Sequence, residues 1–224
     1  MHLGLIVGIG PAATDFYYRH LIRAFAQAGA KLELTMAHAD TPTLLSHQTN
    51  GNAAAQVEIY QQLTHRLRAA GAETVAVTSI AGHFCIEEFK AVSPLPVIDL
   101  VIEVGREISA RKFKKLGLIG TRVVMETSFY GAIKEVEIIA PPPNELTAVH
   151  EAYVAMASMG TITEAQRQVF FSAGKNLMEK AGVDAVMLAG TDLALAFHQR
   201  ESGFPTMDCA AIHADAIFRA VRPN

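Results

Sequence analysis

Short apolar runs alternate with longer amphipathic stretches along the whole chain. "GLIVG" (4–8), "TVAVTS" (74–79), "GLIGT" (117–121) and "AVMLAG" (185–190) are compact hydrophobic runs, which predict core strands. Between them lie "AATDFYYRHLIRAFAQAG" (12–29), "NAAAQVEIYQQLTHRLRAAG" (52–71) and "ITEAQRQVFFSAGKNLMEKAG" (162–182). These stretches set apolar residues at helical spacing, and the latter two end in Ala-Gly behind a Leu/Met face, a helix stop. Strands alternating with helices predict an α/β fold of parallel sheets with right-handed crossovers.

The pattern also repeats. "GLIVG" returns as "GLIGT" after 113 residues, "TVAVTS" as "AVMLAG" after 111, and "PVID" (96–99) as "PTMD" (205–208) after 109. Three motifs recurring in order at half the chain length predict two similar α/β lobes related by a pseudo-twofold. The expected division is 1–105 plus 206–224 for the first lobe and 106–205 for the second, with a C-terminal helix (about 209–221) returning to the first. Sites collect at the carboxyl ends of parallel strands, so the two sets of strand ends should share a cleft. A molecule bound there would meet Ser79 from one side and Gly190 from the other. Backbone N–H groups at two helix starts would suit a small anion.

Composition narrows the class. The chain has 224 residues, half of them hydrophobic, 18% charged, with a formal net charge of −3. That is enough chain for two cored lobes of about 100–110 residues. No basic run tracks a nucleic acid backbone. The two cysteines, Cys85 and Cys209, lie far apart with no CxxC, which indicates neither a disulfide framework nor a metal site. The start "MHLGLIVGIGP" has no basic n-region and leads into a core strand. No apolar run approaches the roughly 18 residues of a membrane span. A soluble cytoplasmic protein is expected. The "GxGP" at 8–11 is too short for a dinucleotide fingerprint, so no nicotinamide site is predicted.

Five stretches resemble the aspartate/glutamate racemase family, in its aspartate racemase branch. "GLIVGIGPAATDFYYRHLI" is similar to that family's "GLIGGMGPxATxxFYxxII", and "VTSIAGHF" to its "PCNTAHY". "KLGLIGTRVVMETSFY" resembles "LLATxxTxxSGxY", "GVDAVMLAGTDLAL" resembles "GADxVILGCTELPL", and "MDCAAIHADA" resembles "DTTxIHAxA". The resemblance implies two α/β lobes with the active site between them, a homodimer, and cofactor-independent racemisation of an amino acid. Two cysteines, one from each lobe, would act on opposite faces of the α-carbon. At those positions this chain has Ser79 and Gly190. A serine hydroxyl is a far weaker acid than a thiol and needs an adjacent base; a glycine offers no side chain.

The substrate-holding positions are altered too. The family's asparagine and threonine after the first cysteine are Ile80 and Ala81, and the second threonine of its "TxxT" is Val124. The loop that supplies an arginine has none, since no arginine occurs between Arg23 and Arg66. Gly8, Gly10, Thr14, His83, Thr121 and Thr191 remain, with Arg122 as a possible anion clamp. Plainer roles stand beside these. Ser79 suits an N-cap, Gly190 a backbone hinge, His83 and His213 packed core histidines, Cys85 apolar filling, and Arg122 a solvated surface. Two functions follow. One is an isomerase of small carboxylates in which Ser79, His83 or Asp192 replaces the thiols. The other is a non-catalytic relative that binds a small carboxylate or a protein partner.

Overall fold

The computed structural model describes residues 1–198 and 200–222. The first half runs β1 (His2–Val7), α1 (Pro11–Gln27), β2 (Glu33–His38), α2 (Thr41–Thr49), α3 (Ala53–Ala69), β3 (Thr74–Val77), α4 (Ile86–Val92), β4 (Val97–Ile98) and α5 (Leu100–Arg111). The second runs β5 (Lys115–Gly120), α6 (Arg122–Glu126), β6 (Glu137–Ile139), α7 (Pro143–Met159), α8 (Glu164–Asn176), β7 (Ala185–Ala189), α9 (Ala194–Phe197), β8 (Thr206–Asp208) and α10 (Cys209–Val221).

Each half builds a four-stranded sheet, in the order β2-β1-β3-β4 and β6-β5-β7-β8. All strand pairs are parallel, with Ile6 opposite Val77 in one sheet and Gly120 opposite Ala189 in the other. The identical order matches the repeat of two similar lobes that the motifs predict. Helices cover both faces of each sheet, which is why β3 and β7 are buried at every residue and read as unbroken apolar runs.

The repeated "PVID" and "PTMD" end in matching caps. Asp99 accepts the N–H groups of Val101 and Ile102 at the start of α5, and Asp208 those of Ala210 and Ala211 at the start of α10. Both helices then cross to the other lobe. Leu100, Val104 and Ile108 of α5 join the buried cluster around Leu116, Leu118 and Val186. Ala210, Ala214, Ile217 and Val221 of α10 join the cluster of Leu3, Leu5, Val7 and Tyr17. Residue 105 therefore lies inside a helix whose buried face belongs to the second lobe. No helix among the described residues is long and apolar enough to cross a membrane.

Candidate active site

The loops that leave β1, β3, β5 and β7 meet between the two lobes. The chain leaves β1 through Gly8-Ile9-Gly10, with φ of 91° at Gly8 and 103° at Gly10. Both positions need glycine, by backbone conformation and by space. A Cβ on Gly8 would collide with the His38 ring, and one on Gly10 with the Asp192 carboxylate. Two threonines tie the loop down. Thr14 Oγ1 accepts the Gly8 N–H at 3.0 Å. The Thr41 hydroxyl donates to Gly8 O at 2.5 Å and accepts the Gly10 N–H at 3.1 Å.

Gly10 gives α1 no side-chain cap, and the first turn of α1 carries no acidic residue. The missing cap comes from the other lobe. Asp192, just past β7, accepts the Ala13 N–H at 3.0 Å, and the Tyr153 hydroxyl of α7 donates to its second oxygen at 3.2 Å. Burial raises the Asp192 carboxyl to about 6, against the hydrogen bonds from Ala13 and Tyr153 that favour its charge. Burial, and then the Asp192 charge, pushes the Tyr153 phenol well above its ordinary range.

A second contact closes the cleft further along. The Tyr130 hydroxyl reaches the carbonyls of Ile80 at 3.0 Å and Ala81 at 3.3 Å. Gln48 of α2 donates to Ala81 O at 2.9 Å and to the Tyr130 oxygen at 3.1 Å. Segments beside both Ser79 and Gly190 thus touch the opposite lobe. Thr121 and Thr191, at the ends of the paired strands β5 and β7, are buried; the Thr191 hydroxyl lies beside the Tyr153 phenol, and that of Thr121 has no hydrogen-bond partner among the described residues.

This arrangement can be set against known proteins. The family model of the Asp/Glu/Hydantoin racemases matches residues 6–217. The chain belongs to that family. An Asp/Glu racemase candidate from Yersinia pestis is 27% identical, with a TM-score of 0.82 over 98% of this chain and 99% of that one. An aspartate racemase homologue from Pyrococcus horikoshii OT3 is 21% identical, with a TM-score of 0.77 and 98% of each chain covered. A glutamate racemase from Francisella tularensis, solved with D-glutamate, shares the fold at 13% identity and a TM-score of 0.70, over 98% of this chain and 80% of that one.

In this racemase-family protein the two positions that the resemblance assigns to thiols have structural occupants. Ser79 is buried, and its Oγ accepts the Gly82 N–H at 3.2 Å, closing the turn at Ala81–Cys85. Gly190 differs from the hinge expected of it. Its φ is −152°, extended backbone open to any residue. What excludes a side chain there is the Tyr153 ring, which fills the place a Cβ would take.

The other predicted residues divide between cleft and core. Gly8 and Gly10 lie in the loop after β1, where Gly8 lines a cavity of about 350 Å³, and Thr121 and Thr191 are buried where β5 and β7 end. His83 is locked: Nδ1 lies 2.5 Å from Ser79 O, and Nε2 accepts the Leu100 N–H at 3.3 Å. Its proton therefore sits on Nδ1, and burial lowers its pKa. Ile80 shares a buried cluster with Val124, so hydrocarbon fills the positions where the family pattern has asparagine and threonine. Ala81 belongs to the first lobe's core. Arg122 turns outward to α7, donating to Thr147 Oγ1 at 3.1 Å and pairing with Glu126 at 3.3 Å. Burial pushes the Cys85 thiol up to about 12 and raises that of Cys209 as well. Tyr153, Tyr130 and Gln48 escaped the sequence reading, because each reaches the cleft from an element far away in the chain.

Proposed function

We propose that this family member holds a small carboxylate between its lobes without the two-base exchange of an α-proton. One observation carries the reading: the Tyr153 ring occupies the space a second thiol would need. With Ser79 spent on a turn and both nitrogens of His83 engaged, no pair of free bases among the described residues faces the space between the lobes from opposite sides. Proton abstraction needs a base of suitable pKa within hydrogen-bond reach, and inversion needs an acid on the far side as well. A cytoplasmic homodimer fits the reading, with sedimentation velocity to settle the assembly.

The test is α-hydrogen exchange in D₂O followed by NMR, with both enantiomers of aspartate and glutamate. No exchange above the uncatalysed background is expected. Racemisation of any of the four would overturn the proposal. Exchange with retention of configuration would favour a second reading in which Asp192 acts as a single base, since its raised carboxyl of about 6 suits proton transfer near neutral pH.

A further inference from the structure

A cavity of about 540 Å³ opens where α1 of one lobe meets α8 and α9 of the other. It gathers arginines from both sides, Arg19 and Arg23 of α1 and Arg167 of α8. Among the described residues that line it, the one carboxylate is that of Asp15. Arg19 already holds that group, with Nε 2.7 and 2.8 Å from its two oxygens. Neighbouring carboxylates are engaged as well. Glu164 lies 3.5 Å from Arg167 Nε, Asp215 pairs with His20 at 2.7 Å, and Asp208 with His198 at 2.5 Å. Arg23 has no ion pair among the described residues. It follows Arg19 by four positions on α1, a spacing at which like charges destabilise a helix. An anion between the two would reverse that repulsion.

Arg167 is set in place beforehand. Its side chain is 14% exposed, and Nη1 donates to Leu195 O at 3.1 Å and to Ala196 O. Nε is buried without a hydrogen bond. A guanidinium fixed through one nitrogen suits an oxyanion, which takes its remaining donors without further ordering of the side chain. Apolar groups complete the lining. Phe16 packs on the first lobe's core, and Ile162 and Leu195 on the second's. The Phe16 ring meets that of His198 edge-on, with centroids 4.8 Å apart. An apolar wall with a few charged groups, in a cavity of this size, suits a small molecule.

We propose that this cavity binds an organic phosphate, with the phosphate on Arg23 and Arg167 and the apolar body against Phe16, Ile162 and Leu195. The site is separate from the carboxylate reading above and does not rest on it. A phosphate ester brings close to two negative charges and three acceptor oxygens, more than a carboxylate offers to three arginines. Bare phosphate would leave the apolar wall unused. Because the arginines come from both lobes, the ligand ties α1 to α8.

Calorimetric titration of the full chain with phenyl phosphate, inorganic phosphate and phenol tests this, at low salt, where exposed charges are least screened. Wild type should bind phenyl phosphate most tightly of the three. Arg23→Gln removes a charged donor and Arg167→Lys removes the fork, so each should weaken phenyl phosphate about tenfold or more. Arg68→Gln, on α3, changes the net charge as much as Arg23→Gln does and should leave binding unaltered. Arg23 is exposed, so its variant carries the test if Arg167→Lys does not fold. Inorganic phosphate or phenol binding as tightly as phenyl phosphate would overturn the organic phosphate as ligand. Unchanged affinity in either folded arginine variant, or an equal loss in Arg68→Gln, would overturn the site. No binding of either phosphate to wild type would overturn the proposal as a whole, while leaving the carboxylate reading intact.

Discussion

Gly190 shows how one residue's role is set by a neighbour 37 positions away, since the Tyr153 ring fills the space beside it. Gly190→Cys would force a side chain into that ring and should cost about 1–3 kcal/mol, as overpacked cores do. Trimming the ring should relieve the collision. In a urea-unfolding double-mutant cycle, Gly190→Cys combined with Tyr153→Leu should be more stable than the sum of the two single changes by about 1 kcal/mol or more. Strict additivity would mean that the ring is not what excludes a side chain. The residue motifs at 74–84 and 183–195 placed both positions at strand ends, but nothing in them shows that a tyrosine occupies the second. At 79, the serine's capping role was legible because it follows from a local turn.

Among the elements, the segment after α6 carries the most strain. Ser128, Phe129, Tyr130 and Gly131 have φ of 50°, 61°, 61° and 64° in succession, one turn of left-handed backbone. Each non-glycine residue there costs about 1–2 kcal/mol relative to its preferred conformation. The turn persists because Phe129 is buried and the Tyr130 hydroxyl is fixed on carbonyls of the opposite lobe. Ser128 stands where the family pattern has glycine. Ser128→Gly should therefore raise stability by roughly 1 kcal/mol, the strain relief exceeding the added freedom of the unfolded chain. A loss of stability in chemical denaturation would show that the serine is not strained. The helices at 12–29 and 52–71 were legible from their stripes, and α1 and α3 fill them to within two residues at each end. The third stretch divides, with α8 ending at Asn176 before a wider turn over Leu177–Ala181. Helix α7 was not foreseen. Its alanines, valines and methionines leave apolar residues around most of its circumference, so no single stripe marks it. It is also the helix that brings Tyr153 to the site.

Across the whole molecule, Asp192 ties the second lobe to the first, and its titration should be visible in global stability. The folded protein raises this carboxyl from 3.8 to about 6, so it binds the proton more tightly than the unfolded chain does. The native state therefore loses stability as pH rises through that window, by about 3 kcal/mol in all. His213 works in the opposite sense. Its ring is buried between the Tyr17 hydroxyl at 2.9 Å and Ile98 O at 3.0 Å, and burial lowers its pKa from 6.5 to about 3. Stability from that group is lost as pH falls below 6.5. Comparing Asp192→Asn with wild type cancels the histidine, which both proteins share. The variant's stability relative to wild type should improve by about 2–3 kcal/mol between about pH 4 and pH 7, measured by urea unfolding. A difference that stays flat with pH would show that Asp192 has an ordinary pKa.

The sequence by itself determined the four central strands β1, β3, β5 and β7, most of the long helices, the repeat of two lobes and the family. Each of these rests on local periodicity or on motifs a few residues long. By residue identity alone, Ser79 and Gly190 carry no thiol in any fold. Tertiary structure alone decided what fills the cleft. The seat at α1 is open because Gly10 has no side chain, and it is taken by a carboxylate 179 residues away. The place beside Gly190 is closed by a ring from α7. Both are contacts between elements distant in the chain, and such contacts leave no mark in the pattern of either partner.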